Sequence, residues 1–392
     1  MSPLDGVLVV AIEQAVAVPY ASRLLADLGA RVIKVERPGR GDFARDYDTA
    51  CGRVSSYFAW VNGGKESLCL DLKRPSGRRA LGALIGRADV VLCNLSPPAA
   101  RRLGLDAETL RATRPALVVG ELSGYGEGGP YGGRKAFDAL IQSEVGLIDL
   151  TGDGKVSARA GISIADIAAG VQLHAAVLAA LLCRQRTGQG ATLRLSLLDA
   201  LAEWMHQPLL YAAGTGQVPA RHGAHHPTIA PYGPFGCADG GTVHLAVQNE
   251  GQWRRLCSEV LGRAEIAEDR RFATVADRVA HREELHSELR ACFKGMSADD
   301  LLAALDAADV PAARTRRVID LVSHPQLVAR DRIRTVPVPG GSVAMLRPPV
   351  DTWPTPTPTV PAVGKHTESV LRWLGFGPAE IAEVVAESDQ SG

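Results

Sequence analysis

Short, continuously apolar runs alternate with amphipathic stretches through the first 120 residues, and few architectures accept that rhythm. Val7-Leu8-Val9-Val10-Ala11-Ile12 offers no polar face, which suits a strand covered on both sides of a parallel sheet. Pro19 opens an amphipathic stretch that closes at Leu28 and Gly29, and Val32-Ile33-Lys34-Val35 reads as the next strand. Further strands are expected over 67–72, 90–93 and 117–120, with helical patterns over 77–85 and 107–112 between them. Strand and helix in regular alternation predict an α/β domain on a largely parallel sheet.

Downstream, an Ala-rich apolar stretch over 164–183 predicts a long helix. The turn Thr187-Gly188-Gln189-Gly190, a strand over 191–197 and a helix from Leu198 follow it. Residues 214–241, rich in Gly, Pro and His, read as a linker or active-site loop. A strand over 243–247 restarts ordered structure, and charged helical segments run over 252–305. Six prolines within 348–361 predict an extended run poor in backbone donors. A helix over 366–374 stops at Gly375, and 388–392 reads as a frayed tail. A chain of 392 residues is long for one core. The expected division is a large α/β domain beginning with 1–212, a linker or active-site loop over 213–241, a small domain over 242–330, and a return segment over 331–392 that completes the large domain.

The 164–183 stretch is about long enough to span a bilayer, yet it carries Asp166, Gln172 and His174 and has no flanking Trp or Tyr belt. A charge inside a span costs roughly 2.5 kcal/mol or more, so the stretch reads as a helix buried in protein. Lys+Arg and Asp+Glu number 43 each, so no net field draws the chain to nucleic acid or an anionic membrane. An anionic ligand must then meet a local cluster of cations. Seven cysteines without a Cys-x-x-Cys pair read as reduced thiols. Met1-Ser2-Pro3-Leu4-Asp5-Gly6 lacks the basic-then-apolar order of a secretory signal, and a cytoplasmic protein is expected.

Gly124-Tyr125-Gly126-Glu127-Gly128-Gly129 has G-x-G-x-x-G spacing, but Pro130-Tyr131-Gly132-Gly133 follows where a dinucleotide fingerprint requires a helix. His222, His225 and His226 share a loop with no carboxylate at ligand spacing, which favours a polar loop over a metal site. Asp166 is the sharpest candidate. Ser163-x-x-Asp166 fits a capping box, in which the acid closes the helix start. The same terminus would favour an ionised, nucleophilic carboxylate, with neighbouring N–H groups for an oxyanion. Spacing alone leaves both readings open.

Several segments, in order, resemble the class III CoA-transferases and the related α-methylacyl-CoA racemases. They are Leu4-Asp5-Gly6-Val7, Leu28-Gly29-Ala30-Arg31-Val32-Ile33-Lys34-Val35-Glu36, Leu70-Asp71-Leu72-Lys73, Ala88-Asp89-Val90, Arg102-Leu103-Gly104, Gly124-Tyr125-Gly126, Asp166, Arg186-x-Gly188-x-Gly190 and Gly364-x-His366-Thr367. The resemblance runs from Leu4 to Gly375. It implies a Rossmann-like parallel-sheet large domain made from both chain ends, a smaller inserted α+β domain, and an interlocked homodimer. It places the catalytic aspartate at Asp166. It places coenzyme A contacts at Val16, Ala17, Arg37, Leu70, Asp71, Leu72, Lys73, Asn94, Leu95, Ser96, Arg102, Lys135, Ala136, Phe137 and Asp138. Arg37, Lys73, Arg102 and Lys135 would supply cations for the CoA phosphates.

The implied reaction moves CoA from an acyl-CoA to a small carboxylic acid. It needs no resident cofactor and no nucleic-acid or membrane partner. Asp166 would pass through a mixed anhydride and an aspartyl-CoA thioester, which calls for a low pKa and exclusion of water. The glycine-rich stretches 216–223 and 236–241 are lid candidates. Racemase relatives carry histidine where Phe137 stands, so two-base proton transfer lacks a partner here. An acyl-CoA-binding protein without catalysis would have no use for Asp166. Val16, Val18 and Leu95 stand where relatives often carry a glutamine, a glycine and an aromatic, which points away from formyl/oxalate exchange. The stretch from Arg221-His222-Gly223 to Tyr232-Gly233 resembles the subgroup acting on short dicarboxylates such as itaconate, mesaconate, malate or succinate. Arg45 and Arg221 are the candidate anchors for the remote carboxylate of such an acid.

Overall fold

The computed structural model describes residues 1–350, 352–354 and 357–390. Asp351, Thr355 and Pro356 of the proline-rich run, and 391–392 of the expected tail, lie outside the described residues. The strands up to residue 196 are β1 (Leu8–Ile12), β2 (Arg31–Glu36), β3 (Glu66–Cys69), β4 (Val90–Cys93), β5 (Val118–Ser123), β6 (Gly152–Asp153), β7 (Val156–Ser157) and β8 (Thr192–Ser196). Six of them form one sheet in the order β3-β2-β1-β4-β5-β8, with every neighbouring pair parallel. All five residues of β1 are buried, as its unbroken apolar run requires. Successive side chains of a strand face opposite ways. Val9 and Ala11 therefore join a core with the helices Ala17–Asp27, Ile164–Thr187 and Leu197–Trp204. Leu8, Val10 and Ile12 join another with Pro75–Arg87, Thr367–Leu374 and Pro378–Gln390. The chain builds outward from β1 to β3, then returns to β4 on the other side, so strand order reverses between β1 and β4. The crevice at the carboxyl ends of strands is where such sheets hold ligands.

Contacts divide the chain into two compact units. The larger comprises Met1–Leu147, Ala160–Gln207 and Pro325–Gly392, and the smaller Ile148–Arg159 and Pro208–His324. The smaller unit holds the β6–β7 hairpin and an antiparallel sheet of β9 (Tyr232–Gly236), β10 (Thr242–Ala246) and β11 (Ala312–Arg314). Its own core is built on Phe235, Trp253, Phe272 and Phe293. β9 falls inside a stretch read as loop, because its glycines and proline masked a short strand whose Gly233 and Phe235 face inward.

The edge of the large sheet is closed by the returning chain. The β3 N–H groups of Ser67 and Cys69 donate to His366 Nδ1 and Thr367 Oγ1, each at 3.0 Å, while Gly364 N–H donates to Ser67 Oγ at 2.9 Å. The motif Gly364-x-His366-Thr367 thus satisfies an edge strand that would otherwise be open to pairing. Two elements near the chain's C-terminal end also escaped the sequence. The hairpin of β12 (Ile333–Val338) and β13 (Gly341–Leu346) carries Pro337, which a two-stranded ladder tolerates. The helix Pro378–Gln390 continues through residues read as a frayed tail, because Ile381 and Val384 are buried in the core. The helix Ile164–Thr187 is long and apolar enough to cross a membrane, and its Ala165, Ala168, Ala169, Leu173 and Val177 are buried in the larger unit's core.

Beneath the end of β1 lies a buried ionic network. Lys34, between Ile33 and Val35 of β2, donates to Asp42 at 2.8 Å and to the Glu13 carboxylate at 3.4 Å. Lys65 donates to Glu13 at 2.6 Å, to the Pro19 carbonyl at 2.9 Å and to Asn62 at 3.0 Å. Burial alone would raise the Glu13 carboxyl; Lys65 and Lys34 outweigh it and hold the group below the usual carboxylate range. Removing one member of such a set leaves a buried charge uncompensated. Lys34→Met is accordingly expected to cost about 3–5 kcal/mol in urea unfolding. A loss under about 1 kcal/mol would rank the network with surface ion pairs.

Candidate functional site

The network positions the chain that leaves β1. Gln14 is pinned in both directions by Asn94, which accepts from its N–H at 2.9 Å and donates to its carbonyl at 2.8 Å. Ala15 takes a positive φ of 63°, unusual for a residue with a Cβ, and its N–H donates to Asp42 at 3.2 Å. The helix Ala17–Asp27 follows and runs alongside Ile164–Thr187. A Cβ on Gly170 would lie 2.8 Å from the Ala17 carbonyl oxygen and 2.9 Å from the Tyr20 ring, so only glycine permits this approach. Farther along, burial and then the nearby Arg23 charge hold the His174 imidazole below its usual range. The two helices therefore point the same way, and Asp166, one turn before Gly170, adjoins the start of the Ala17 helix.

The capping box that the Ser163-x-x-Asp166 spacing allowed does not form. Ser163 occupies the N-cap but makes no side-chain cap hydrogen bond. Asp138, at the start of the helix Asp138–Glu144, closes the terminus instead, accepting from Ala165 N–H at 2.8 Å and from Asp166 N–H at 3.4 Å. Those two N–H groups are thereby committed to Asp138 and are not free for an oxyanion. The Asp166 carboxyl is relieved of capping. Its ionisation also departs from expectation: burial first, then the neighbouring Asp138 charge, push it from 3.8 up to about 7. A helix N-terminus favours an anion by about 0.3–1 kcal/mol, too little to offset desolvation plus a second carboxylate.

The remaining candidates lie along the carboxyl rim of the sheet. Val16 and Ala17 follow β1, Arg37 follows β2, Leu70, Asp71, Leu72 and Lys73 follow β3, and Asn94, Leu95 and Ser96 follow β4. Arg102 ends the helix Pro97–Arg102, and Lys135, Ala136, Phe137 and Asp138 lie beyond β5. Arg37, Lys73, Arg102 and Lys135 are exposed, and none is ion-paired among the described residues. Others are committed to the fold. Val16, Ala17 and Leu70 are buried, Asn94 holds Gln14, and Asp71 accepts from Lys73 N–H at 2.9 Å. Phe137 is 58% exposed at the N-cap before Asp138.

Neither proposed carboxylate anchor is available. Arg45 is buried, bonded to both Glu36 oxygens at 2.9 and 2.7 Å and to the Pro361 carbonyl at 3.1 Å, with its guanidinium 3.7 Å from the Phe58 ring centre. Arg221 holds the Asp149 carboxylate at 3.0 Å and the Gly154 carbonyl at 3.0 Å within the smaller unit. Of the loop histidines, His226 stacks on Tyr232 at 5.0 Å and His225 lies 4.4 Å from His286. Residues 236–241 form the β9–β10 hairpin turn, with Cys237 N–H bonded to the Gly241 carbonyl. The sequence reading passed over Glu13, Asp42 and Gln142. All three are buried polar side chains, and no local pattern in the sequence marks them.

The description "CoA-transferase family III" matches residues 4–367. The chain is 35% identical to the succinate–glutarate CoA-transferase of Agrobacterium fabrum, over 95% of this chain and 96% of that protein. It is 34% identical to the acetyl-CoA:oxalate CoA-transferase of Acetobacter aceti, over 89% and 88%. A solved CAIB/BAIF family protein from Brucella suis superposes with a TM-score of 0.85 at 34% identity, covering 95% of this chain and 99% of that one.

The raised Asp166 carboxyl makes a stability prediction. A carboxyl whose folded pKa lies above its unfolded one favours the fold fully below the unfolded value. That contribution is lost as pH rises through the folded value of about 7. Asp166→Asn is therefore expected to be more stable than the parent at about pH 8, by at most about 4 kcal/mol. The two should converge near about pH 4. Urea unfolding at both pH values reads this, and equal stability at the higher pH would show that Asp166 ionises freely.

Proposed function

The chain belongs to CoA-transferase family III, and on that footing we propose that it moves CoA from an acyl-CoA to a short dicarboxylic acid, with Asp166 as nucleophile. The observation that carries the reading is a carboxyl released from capping at a helix start beside the switch-point crevice. An Asp166 oxygen attacks the thioester carbonyl, the C–S bond breaks, and a mixed anhydride and CoA thiolate result. The thiolate then attacks the aspartyl carbonyl of the anhydride, giving an aspartyl-CoA thioester and releasing the donor acid. The acceptor carboxylate displaces the thiolate from that thioester and forms a second anhydride. Finally, the thiolate attacks the acceptor's acyl carbon, yielding the new thioester and restoring Asp166. No proton is gained or lost across the cycle, and each exchange is easier than direct displacement.

Arg37, Lys73, Arg102 and Lys135, spaced along the rim, suit the phosphates of CoA. The dicarboxylate acceptor is supported by relatives whose names give succinate, glutarate and oxalate. The oxalate-named relative keeps the shortest diacid among the acceptors to be tested. Exposed Val318, Ile319, Leu321 and Val322 within one short stretch support a homodimer. Seven free cysteines support a reducing, cytoplasmic compartment.

The deciding experiment supplies succinyl-CoA with a panel of mono- and dicarboxylic acids and detects new thioesters by mass. Asp166→Ala is expected to abolish transfer, and hydroxylamine during turnover should convert Asp166 of the parent to its hydroxamate. A hydroxamate on another residue would relocate the nucleophile. With Phe137 in place of an imidazole, a 2-methylacyl-CoA should keep its α-proton in deuterated buffer. Rapid α-deuteration without an acceptor acid would favour racemisation instead.

A further inference from the structure

Asp138 does more than occupy a rim position. Its Oδ1 accepts from Ala165 and Asp166 N–H, and its Oδ2 accepts from Gln142 Nε2 at 2.7 Å. Gln142, fully buried one turn along the same helix, accepts in turn from Ala160 N–H at 2.9 Å. Both carboxylate oxygens of Asp138 are thus engaged by the protein. We propose that Asp138 is a positioning residue for Asp166, closing the start of the Asp166 helix and, with Gln142, clamping both ends of the segment 160–165. The inference rests on Asp166 being the nucleophile and assigns Asp138 a role other than CoA contact.

The pair also controls charge. Few ionisable groups face Asp166. The helix Asp138–Glu144 brings Asp138, and Tyr47, following the turn Phe43–Asp46, lies within the field of Asp166. The helix Ala17–Asp27 brings Arg23, whose field falls on His174 two turns away. The helix Leu197–Trp204 offers the Ala200 carbonyl to Gln172, and Glu121 of β5 pairs with Arg194 of β8. No cation among the described residues neutralises Asp166, so Asp138 sets the like charge against which it ionises.

Asp138→Asn removes that charge and keeps an oxygen that can accept from Ala165 N–H, since asparagine caps helices as well as aspartate does, while it gives up the bond from Gln142 Nε2. Asp138→Ala removes both. The Asp166 titration is read directly by 13C NMR of protein labelled at aspartate Cγ, and the acid limb of kcat/KM is read separately. Asp138→Asn should move both midpoints to lower pH, raising relative kcat/KM on the acid side about tenfold per pH unit of displacement. Asp138→Ala should in addition lower kcat, by about a hundredfold for a displacement near 1 Å, with little change in KM for the acyl-CoA. An unmoved Asp166 titration in Asp138→Asn overturns the proposal. So does a rise in KM for acyl-CoA with kcat unchanged, which would return Asp138 to the CoA contacts. If the titration moves while the acid limb stays, Asp138 still positions Asp166, and the reading of Asp166 as nucleophile fails.

Discussion

Four charged side chains buried beneath the last residue of β1 hold the site together. Glu13, Lys34 and Lys65 are wholly removed from solvent and Asp42 nearly so. Burying such groups separately would cost several kcal/mol each, and they are tolerated because every one meets an opposite charge. What they fix is a direction. Asp42 caps the short turn Phe43–Asp46 and also holds Ala15 at its positive φ, so the chain leaving β1 turns once and enters the Ala17 helix. Lys65 bonds the Pro19 carbonyl within that helix's first turn. Strand, loop and helix are tied to one point, and the Asp166 helix is laid against the result through the bare backbone of Gly170.

Asp166 is caught between opposed effects of different size. The helix terminus favours its anion by at most about 1 kcal/mol in an exposed setting. Displacement of its pKa from 3.8 to about 7 corresponds to roughly 4 kcal/mol in the other direction. A carboxylate held at this disadvantage is more basic and more reactive as a nucleophile than a freely solvated one, at the cost of being ionised only near neutrality and above. Stability is given up at the residue proposed to carry the chemistry, a pattern familiar in active sites. The hydrogen bonds that place Asp138 beside it are the same ones that start the helix. Structure and reactivity there cannot be separated by removing the side chain alone.

The sequence by itself determined the strands of the large parallel sheet, because runs such as that of β1 have no polar face and can only be buried on both sides. Val16–Ala17, Arg37, Leu70–Lys73 and Asn94–Ser96 each follow one of these strands, and parallel strands end together on one rim. The sequence also placed Asp166 in the first turn of a long helix. Through-space relations were left to the tertiary structure. A capping box looked satisfied by Ser163 and Asp166 until Asp138, from another helix, took the donors. Arg45 looked free until Glu36 on β2 and the Pro361 carbonyl claimed its guanidinium. The direction of the Asp166 pKa was inverted for the same reason. Periodicity and caps are local and can be read along a chain, whereas desolvation and charge proximity depend on which distant segments arrive, and only the folded packing decides that.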